Sequence, residues 1–234
     1  MTYEEYQAKE AKRLEIVMKH MENGVEFIDI YQAYIDETVK IGKGTVIYPC
    51  VVLQGNTEIG DNCLIGQNSR IVDSKIGNGT DVQSSVILES TVGEETHVGP
   101  FAYMRPNSHV GSRCKVGDFV EVKNSSMGDG AKASHLTYIG DSDVGRDVNL
   151  GCGVVFVNYN GHSKSRCTVE DGAFIGCNTN LVAPVKVGEK AYIAAGSTVT
   201  RDVPAGALRI SRAREQKDIE GYVERTGILK KEKK

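Results

Sequence analysis

Counting from Ile41, an aliphatic side chain recurs at every sixth position: Ile41, Ile47, Leu53, Ile59, Ile65 and Ile71. The same period returns at Val92, Val98, Met104, Val110, Val116 and Val122, and again at Val169, Ile175, Leu181, Val187, Ile193 and Val199. A fixed period kept over this distance marks a repeat architecture, because an ordinary β-sandwich would not hold register so long. Turn chemistry punctuates the run, as in Ile76-Gly77-Asn78-Gly79 and Met127-Gly128-Asp129-Gly130, and excludes a helix here.

Two positions before each aliphatic residue the side chain is almost always small: Thr57, Cys63 and Ser69; Thr96, Ala102, Ser108 and Cys114; Cys167, Ala173, Thr179, Ala191 and Ser197. Residues two apart share one face of a strand. Each hexad therefore reads as a short strand with one large and one small inward side chain, followed by a turn. Three hexads close a triangular coil of 18 residues, and stacked coils leave a narrow interior that such side chains fill. The expected class is all-β, a hexapeptide-repeat parallel β-helix. Spacings of five at 71→76, 82→87, 87→92, 122→127 and 139→144 read as one-residue deletions at turns. No Trp, few Phe and 26 Gly suit a fold that does not depend on large aromatic cores.

The flanks differ. Leu14, Val17, Met18 and Met21 stand at helical spacing before an Asn23-Gly24 stop, which predicts one amphipathic helix within residues 1–24, its apolar stripe docked on the coil or on a neighbouring subunit. Residues 25–209 form the expected β-helix, and 210–234 a charged C-terminal arm, either a short helix or extended. A net charge of −3 with both signs interspersed gives no broad basic field for nucleic acid or anionic lipid. No run of 18 apolar residues occurs and MTYEEYQAKEAKRLE is too charged for a signal peptide, so a cytoplasmic location is expected. The six cysteines form no CxxC pair and no metal-like spacing with histidine, and reduced thiols are the expectation.

The register also finds residues that stack. Arg105 and Lys123, 18 apart, each follow an aliphatic hexad residue, so two cations share a corner. They suit a phosphate, or are solvated residues that splay apart. Cys177 and Ala195 form a second column, and Cys152 holds the same place after Leu150. The 25 residues from Cys152 to Cys177 are one coil plus seven, accounted for by a loop containing VNYNGHSKSRC. Small side chains beside that loop suit a thin ligand such as a pantetheine arm, or simple tight packing. No two of the five histidines are four apart, so a His₃ metal site is not expected. His135 lies in AKASHLTYIG, where the repeat is imperfect, and is open to either a structural or a catalytic role.

From about His20 to Lys217 the chain resembles the C-terminal acetyltransferase half of the bacterial bifunctional enzyme that makes UDP-N-acetylglucosamine. The motifs are PFAYMRP at Pro100, VGDFVEVKNS at Val116, SHLTYIGD at Ser134, VNLGCG at Val148, VNYNG at Val157, NLVAPVKVG at Asn180, AAGSTVTRDVP at Ala194 and ISR at Ile210. The resemblance implies a left-handed coil and acetyl-CoA-dependent N-acetylation of glucosamine 1-phosphate, with no metal needed for the transfer. It implies His135 as general base and Arg105, Lys123, Tyr138, Asn149 and Lys164 around the sugar phosphate. Cys152, Asn158, Tyr159, Cys177, Ala195 and Arg212 would line the acetyl-CoA site, with Lys217 as a further phosphate contact. It also implies a homotrimer whose sites use neighbouring subunits. No Gly-rich nucleotide-binding domain precedes the repeat, so uridylyl transfer is expected to be absent. The chain departs from the family pattern at Asn160, where Asp is usual; at Cys152, where Ala is usual; at Cys177, where Ser is usual; and at Asn107, where Gly is usual. The competing readings are a hexapeptide acyltransferase for another amino or nucleotide sugar, and a non-catalytic trimeric scaffold.

Overall fold

The computed structural model describes residues 1–213 and Glu220. From Glu26 to Arg209 the chain winds as a left-handed parallel β-solenoid of about ten coils. Its first face holds eleven strands from Glu26–Phe27 to Leu208–Arg209; its second, ten from Ala33–Ile35 to Thr198–Val199; its third, nine from Lys40–Ile41 to Lys186–Val187. Every strand pairs in parallel with its counterpart one coil away. The column Ile47, Ile65, Val82, Val98, Val116 runs through the first face in register, so coils of 16, 17 and 18 residues stack and the deletions are absorbed at corners.

The aliphatic hexad residues fill the interior: Ile47, Leu53, Ile65, Ile71, Val98, Met104, Val122, Ile175 and Ile193 are wholly buried. Each such side chain contributes about 1.5–3 kcal/mol by leaving water. The small inward row does a different job. Where the backbone turns a corner its polar groups leave the strand ladder, and a buried hydroxyl replaces the lost partner. Thr45 Oγ1 donates to Gly60 O at 2.8 Å and accepts from Cys63 N at 3.0 Å. Among the described residues no buried side-chain nitrogen or oxygen lacks a hydrogen bond. Cys63, Cys114 and Cys167 lie in this small row and are buried.

Helix α1 (Tyr3–Glu22) begins with a capping box, in which Thr2 accepts from Glu5 N and the Glu5 carboxylate accepts from Thr2 N. Its buried face is only partly the stripe read from the sequence, sharing Val17 with it. Arg13, Val17 and His20 are buried, whereas Met18 and Met21 are 52% and 45% exposed. The reason is the open end of the solenoid, where no preceding coil donates to the carbonyls of the first. The Arg13 guanidinium supplies them, donating to Ile30 O and Ala33 O at 3.0 Å each while Glu10 holds it in place. Hydrophobic spacing could not report an end capped by a buried cation. Burial, helped by the Lys19 charge, pushes the His20 imidazole pKa down. Most of the expected arm at 210–234, and Lys217 within it, lies outside the described residues. Among the described residues no helix is long and apolar enough to cross a membrane.

Candidate active site

His135 ends the strand Lys132–His135 at the corner where the first face turns into the second. Its register partner one coil earlier is Asp118, and the two side chains meet with Nδ1 2.6 Å from Asp118 Oδ1. Gly117 permits the approach: a Cβ there would stand 2.0 Å from Ser134 O. The hydrogen bond from His135 holds the Asp118 carboxyl below the usual carboxylate range. His135 is 55% exposed, and its Nε2 has no hydrogen-bond partner among the described residues. His97 offers a contrast: its Nδ1 lies 2.8 Å from Asp81 Oδ2, but its Nε2 is also engaged, 3.1 Å from Gly99 O. Of the two carboxylate-paired imidazoles, His135 keeps a nitrogen available.

From His135 a column of corner residues continues along the solenoid: Cys152, Cys177 and Ala195. Asn178 N donates to Cys152 O at 2.8 Å, Gly196 N to Cys177 O at 2.8 Å, and the Arg212 guanidinium to Ala195 O at 2.9 Å. Arg212 therefore closes the ledge. At the equivalent corner after the third face, several amides are capped by a side chain of the next coil: Asp61 N donates to Asn78 Oδ1, Ser112 N to Asp129 Oδ1 and Arg146 N to Asp171 Oδ1. Cysteine and alanine cannot cap in this way. The amides of Cys152, Cys177 and Ala195 donate no hydrogen bond among the described residues. The small column thus leaves a row of free donors beside an imidazole, and glycines bring its coils close: a Cβ on Gly151 would lie 2.6 Å from Cys177 N.

The cations stand at the opposite edge of the second face. Met104 pairs with Val122, so Arg105 and Lys123, the next residues, are register neighbours. Each turns to a carboxylate one coil on: Arg105 Nη1 lies 3.0 Å from Glu121 Oε1, and Lys123 Nζ 3.3 Å from Asp141 Oδ2. Lys164 reaches the same place from the loop between Val155–Val157 and Cys167–Val169, where Tyr159 and Lys164 form an antiparallel bridge. The neighbouring Lys123 ammonium, with Arg105 adding to it, pushes the Lys164 pKa down. Three cations against two carboxylates leave a positive excess suited to an anion. Asp141 is buried, and burial opposes its charge. Bonds from the amides of Asn124 and Asn158 and from Lys123 more than offset this and hold its pKa low.

Asn158, which the resemblance would place against acetyl-CoA, here belongs to this cationic cluster, donating to Asp141 and to the Tyr138 hydroxyl. Tyr138 lies on the second face between the two edges, its ring folded over Gly140, where a Cβ would come 2.4 Å from the hydroxyl oxygen. Asn149 sits apart on the first face, in register with Lys132 and Phe174. Tyr159 is exposed, its hydroxyl donating to Gly161 O at 2.6 Å. Sequence reasoning missed Asp118, Asp141 and Glu121. The first two carried a signal: the deletions at 122→127 and 139→144 make the local coil 17 residues, and one such step back from His135 is Asp118. Among the described residues no group of three or more His, Cys, Asp or Glu could hold a metal ion.

Comparison with known proteins agrees with the repeat. The bacterial transferase hexapeptide model matches residues 38–72 and 166–201, and that of the hexapeptide repeat of succinyl-transferase matches residues 56–89. The chain is 53% identical over 225 residues to the bifunctional protein GlmU of Alkaliphilus metalliredigens, covering 96% of this chain and 49% of that protein. It is 59% identical over 219 residues to GlmU of Alkaliphilus oremlandii, covering 94% of this chain and 48% of that one. The chain is thus similar to GlmU along almost its whole length and carries the bacterial transferase hexapeptide repeat. It spans about half the length of the curated relatives it matches. Both edges described above fall within the aligned length, given that 96% of the chain is covered.

Proposed function

We propose that this chain transfers the acetyl group of acetyl-CoA to the amine of glucosamine 1-phosphate, releasing N-acetylglucosamine 1-phosphate and free coenzyme A. The observation that carries the reading is His135, an exposed imidazole fixed at Nδ1 by Asp118, standing where a row of uncapped amides meets a strip that ends in three cations. The strip is three residues wide, about 10 Å at ~3.3 Å per residue, a span that a hexosamine phosphate can occupy.

Acetyl-CoA supplies the thioester. The ledge suits its thin pantetheine arm, since Cys152, Cys177 and Ala195 leave the backbone bare and Arg212 offers a cation at the far end. Arg105, Lys123 and Lys164 hold the sugar phosphate, with Tyr138 against the ring, and this places the amine toward His135. As the amine attacks the thioester carbonyl, Nε2 of His135 takes its proton and Asp118 steadies the imidazolium that forms. The uncapped amides donate to the developing oxyanion. When the tetrahedral intermediate collapses, the thiolate leaves and takes the proton from Nε2. Holding both substrates on one surface makes the encounter effectively intramolecular.

The assembled enzyme is a homotrimer on this reading. Support comes from the corner beside the ledge, where Phe101, Phe119 and Leu136 adopt left-handed φ values of 61°, 55° and 48° and project apolar side chains outward. Such backbone costs about 1–2 kcal/mol per residue, and Phe101 and Phe119 stack at 5.6 Å. A neighbouring copy would cover them and bring Asn149 and Tyr159 to sites they do not reach in their own chain. The test follows thiol release from acetyl-CoA with glucosamine 1-phosphate and with other amino sugars. His135→Ala should lower kcat by about 10²–10⁴ with the melting temperature retained. No turnover of glucosamine 1-phosphate by the native chain, or an unimpaired His135→Ala variant, rejects the assignment.

A further inference from the structure

The ledge holds a feature that acetyl transfer does not require: two thiols on successive coils. Leu150 pairs with Ile175, which sets Cys152 against Cys177 two residues later, and Asn178 N donates to Cys152 O at 2.8 Å. Parallel neighbours place their α-carbons about 4.8 Å apart, inside the 4.4–6.8 Å window that a disulfide spans. Both cysteines are free, Cys177 exposed and Cys152 half-buried. The other four are not arranged for this chemistry. Cys63, Cys114 and Cys167 are interior, where burial pushes their thiols up, Cys167 to about 11. Cys50 is exposed, but its neighbours on adjoining coils are Gln32, to which its thiol donates at 3.1 Å, and Asn68.

We propose that Cys152 and Cys177 are an oxidative modification site, closing into a reversible intrachain disulfide across the ledge. A hydroperoxide is the oxidant class. The more exposed Cys177 thiolate attacks the O–O bond of hydrogen peroxide and becomes a sulfenic acid. Cys152 then attacks that sulfur, forming the S–S bond and expelling water. In sum two thiols and one peroxide give one disulfide and two waters, and a dithiol reductant reverses the change. The bridge ties two coils together over the amides assigned to the pantetheine arm, so it closes the ledge to coenzyme A. That consequence rests on the proposed acetyltransferase reading; the bond itself does not.

The test treats the full chain with hydrogen peroxide and maps its peptides without reduction. The expected result is a linked Cys152–Cys177 peptide, a fall in thiols of the denatured chain from the six in the sequence to four, and recovery with dithiothreitol. Thiol release from acetyl-CoA should fall at least about tenfold with oxidation and return on reduction. The shift in melting temperature produced by coenzyme A should vanish in the oxidised form. A Cys177→Ser variant should give no linked peptide and keep its own untreated rate after peroxide. Oxidation of Cys50 alone, with no linked peptide, overturns the site. A linked peptide with undiminished turnover and an unchanged coenzyme A shift overturns the closure. If neither turnover nor a coenzyme A shift exists in the reduced chain, the acetyltransferase reading fails while peptide mapping still decides the disulfide.

Discussion

Gly117→Ala tests how the solenoid builds its reactive pair. Gly117 precedes Asp118, and a Cβ on it would stand 2.0 Å from the carbonyl oxygen of Ser134, 2.7 Å from the carbonyl carbon and 3.0 Å from the α-carbon. Carbon and oxygen settle at about 3.3 Å, so the two coils must part by more than ~1 Å. The obstacle is backbone rather than the tip of a flexible side chain, and no rotamer relieves it. Ser134 is covalently next to His135, so the movement falls on the 2.6 Å contact between Asp118 and His135. A misplacement of about 1 Å costs on the order of 10²-fold in rate, whereas overpacking costs about 1–3 kcal/mol of stability. In a chain of this length that lowers the melting temperature by about 2–4 °C per kcal/mol. A control separates the two effects. Gly77→Ala collides in a similar way, its Cβ 2.6 Å from Glu94 N, but at the corner after the third face. Thiol-release kinetics and thermal melts of both variants form the assay. Comparable melting losses are expected, with kcat/KM collapsing in Gly117→Ala alone. Equal rates in the two variants would refute the claim that Gly117 sets the geometry of the pair.

Two further outcomes follow from the same structure. Cys177→Asn would present a carboxamide to Cys152 N, as Asn78 does to Asp61 N at 2.8 Å; removing one donor worth about 1 kcal/mol should raise KM for acetyl-CoA roughly five- to tenfold, and an unchanged KM would show that this amide does not face the ligand. Asp141→Ala leaves two amides and the Lys123 ammonium without their carboxylate, a loss of about 2 kcal/mol at neutral pH. Because the folded carboxyl titrates below its ordinary value, its stabilising contribution is complete above the unfolded pKa of about 3.9 and disappears as pH falls through the folded value. The gap between wild-type and variant melting temperatures should therefore close in acid, and a gap that stays constant from neutral pH down to about pH 3 would contradict the assigned bonds.

Much of this molecule was legible as a string of residues. The hexad spacing specified short strands and turns, the small row two positions earlier specified the second inward side chain, and together they determined a three-sided coil. Register arithmetic then set Arg105 beside Lys123 and Cys152 beside Cys177, because a solenoid converts sequence separation directly into height along its axis. Side-chain reach across a coil boundary was decided only by the folded chain. The carboxylates that pair with Arg105 and Lys123 sit one coil on, at Glu121 and Asp141, and the partner of His135 sits one coil back at Asp118, where the deletion at 122→127 shortens the step from 18 to 17. The face of α1 likewise turned on an open end that needed a buried guanidinium, which periodicity does not encode. Periodicity fixes what the backbone repeats along its length; the partners of a charge depend on which neighbouring coil its side chain leans toward, and that is settled by packing in three dimensions.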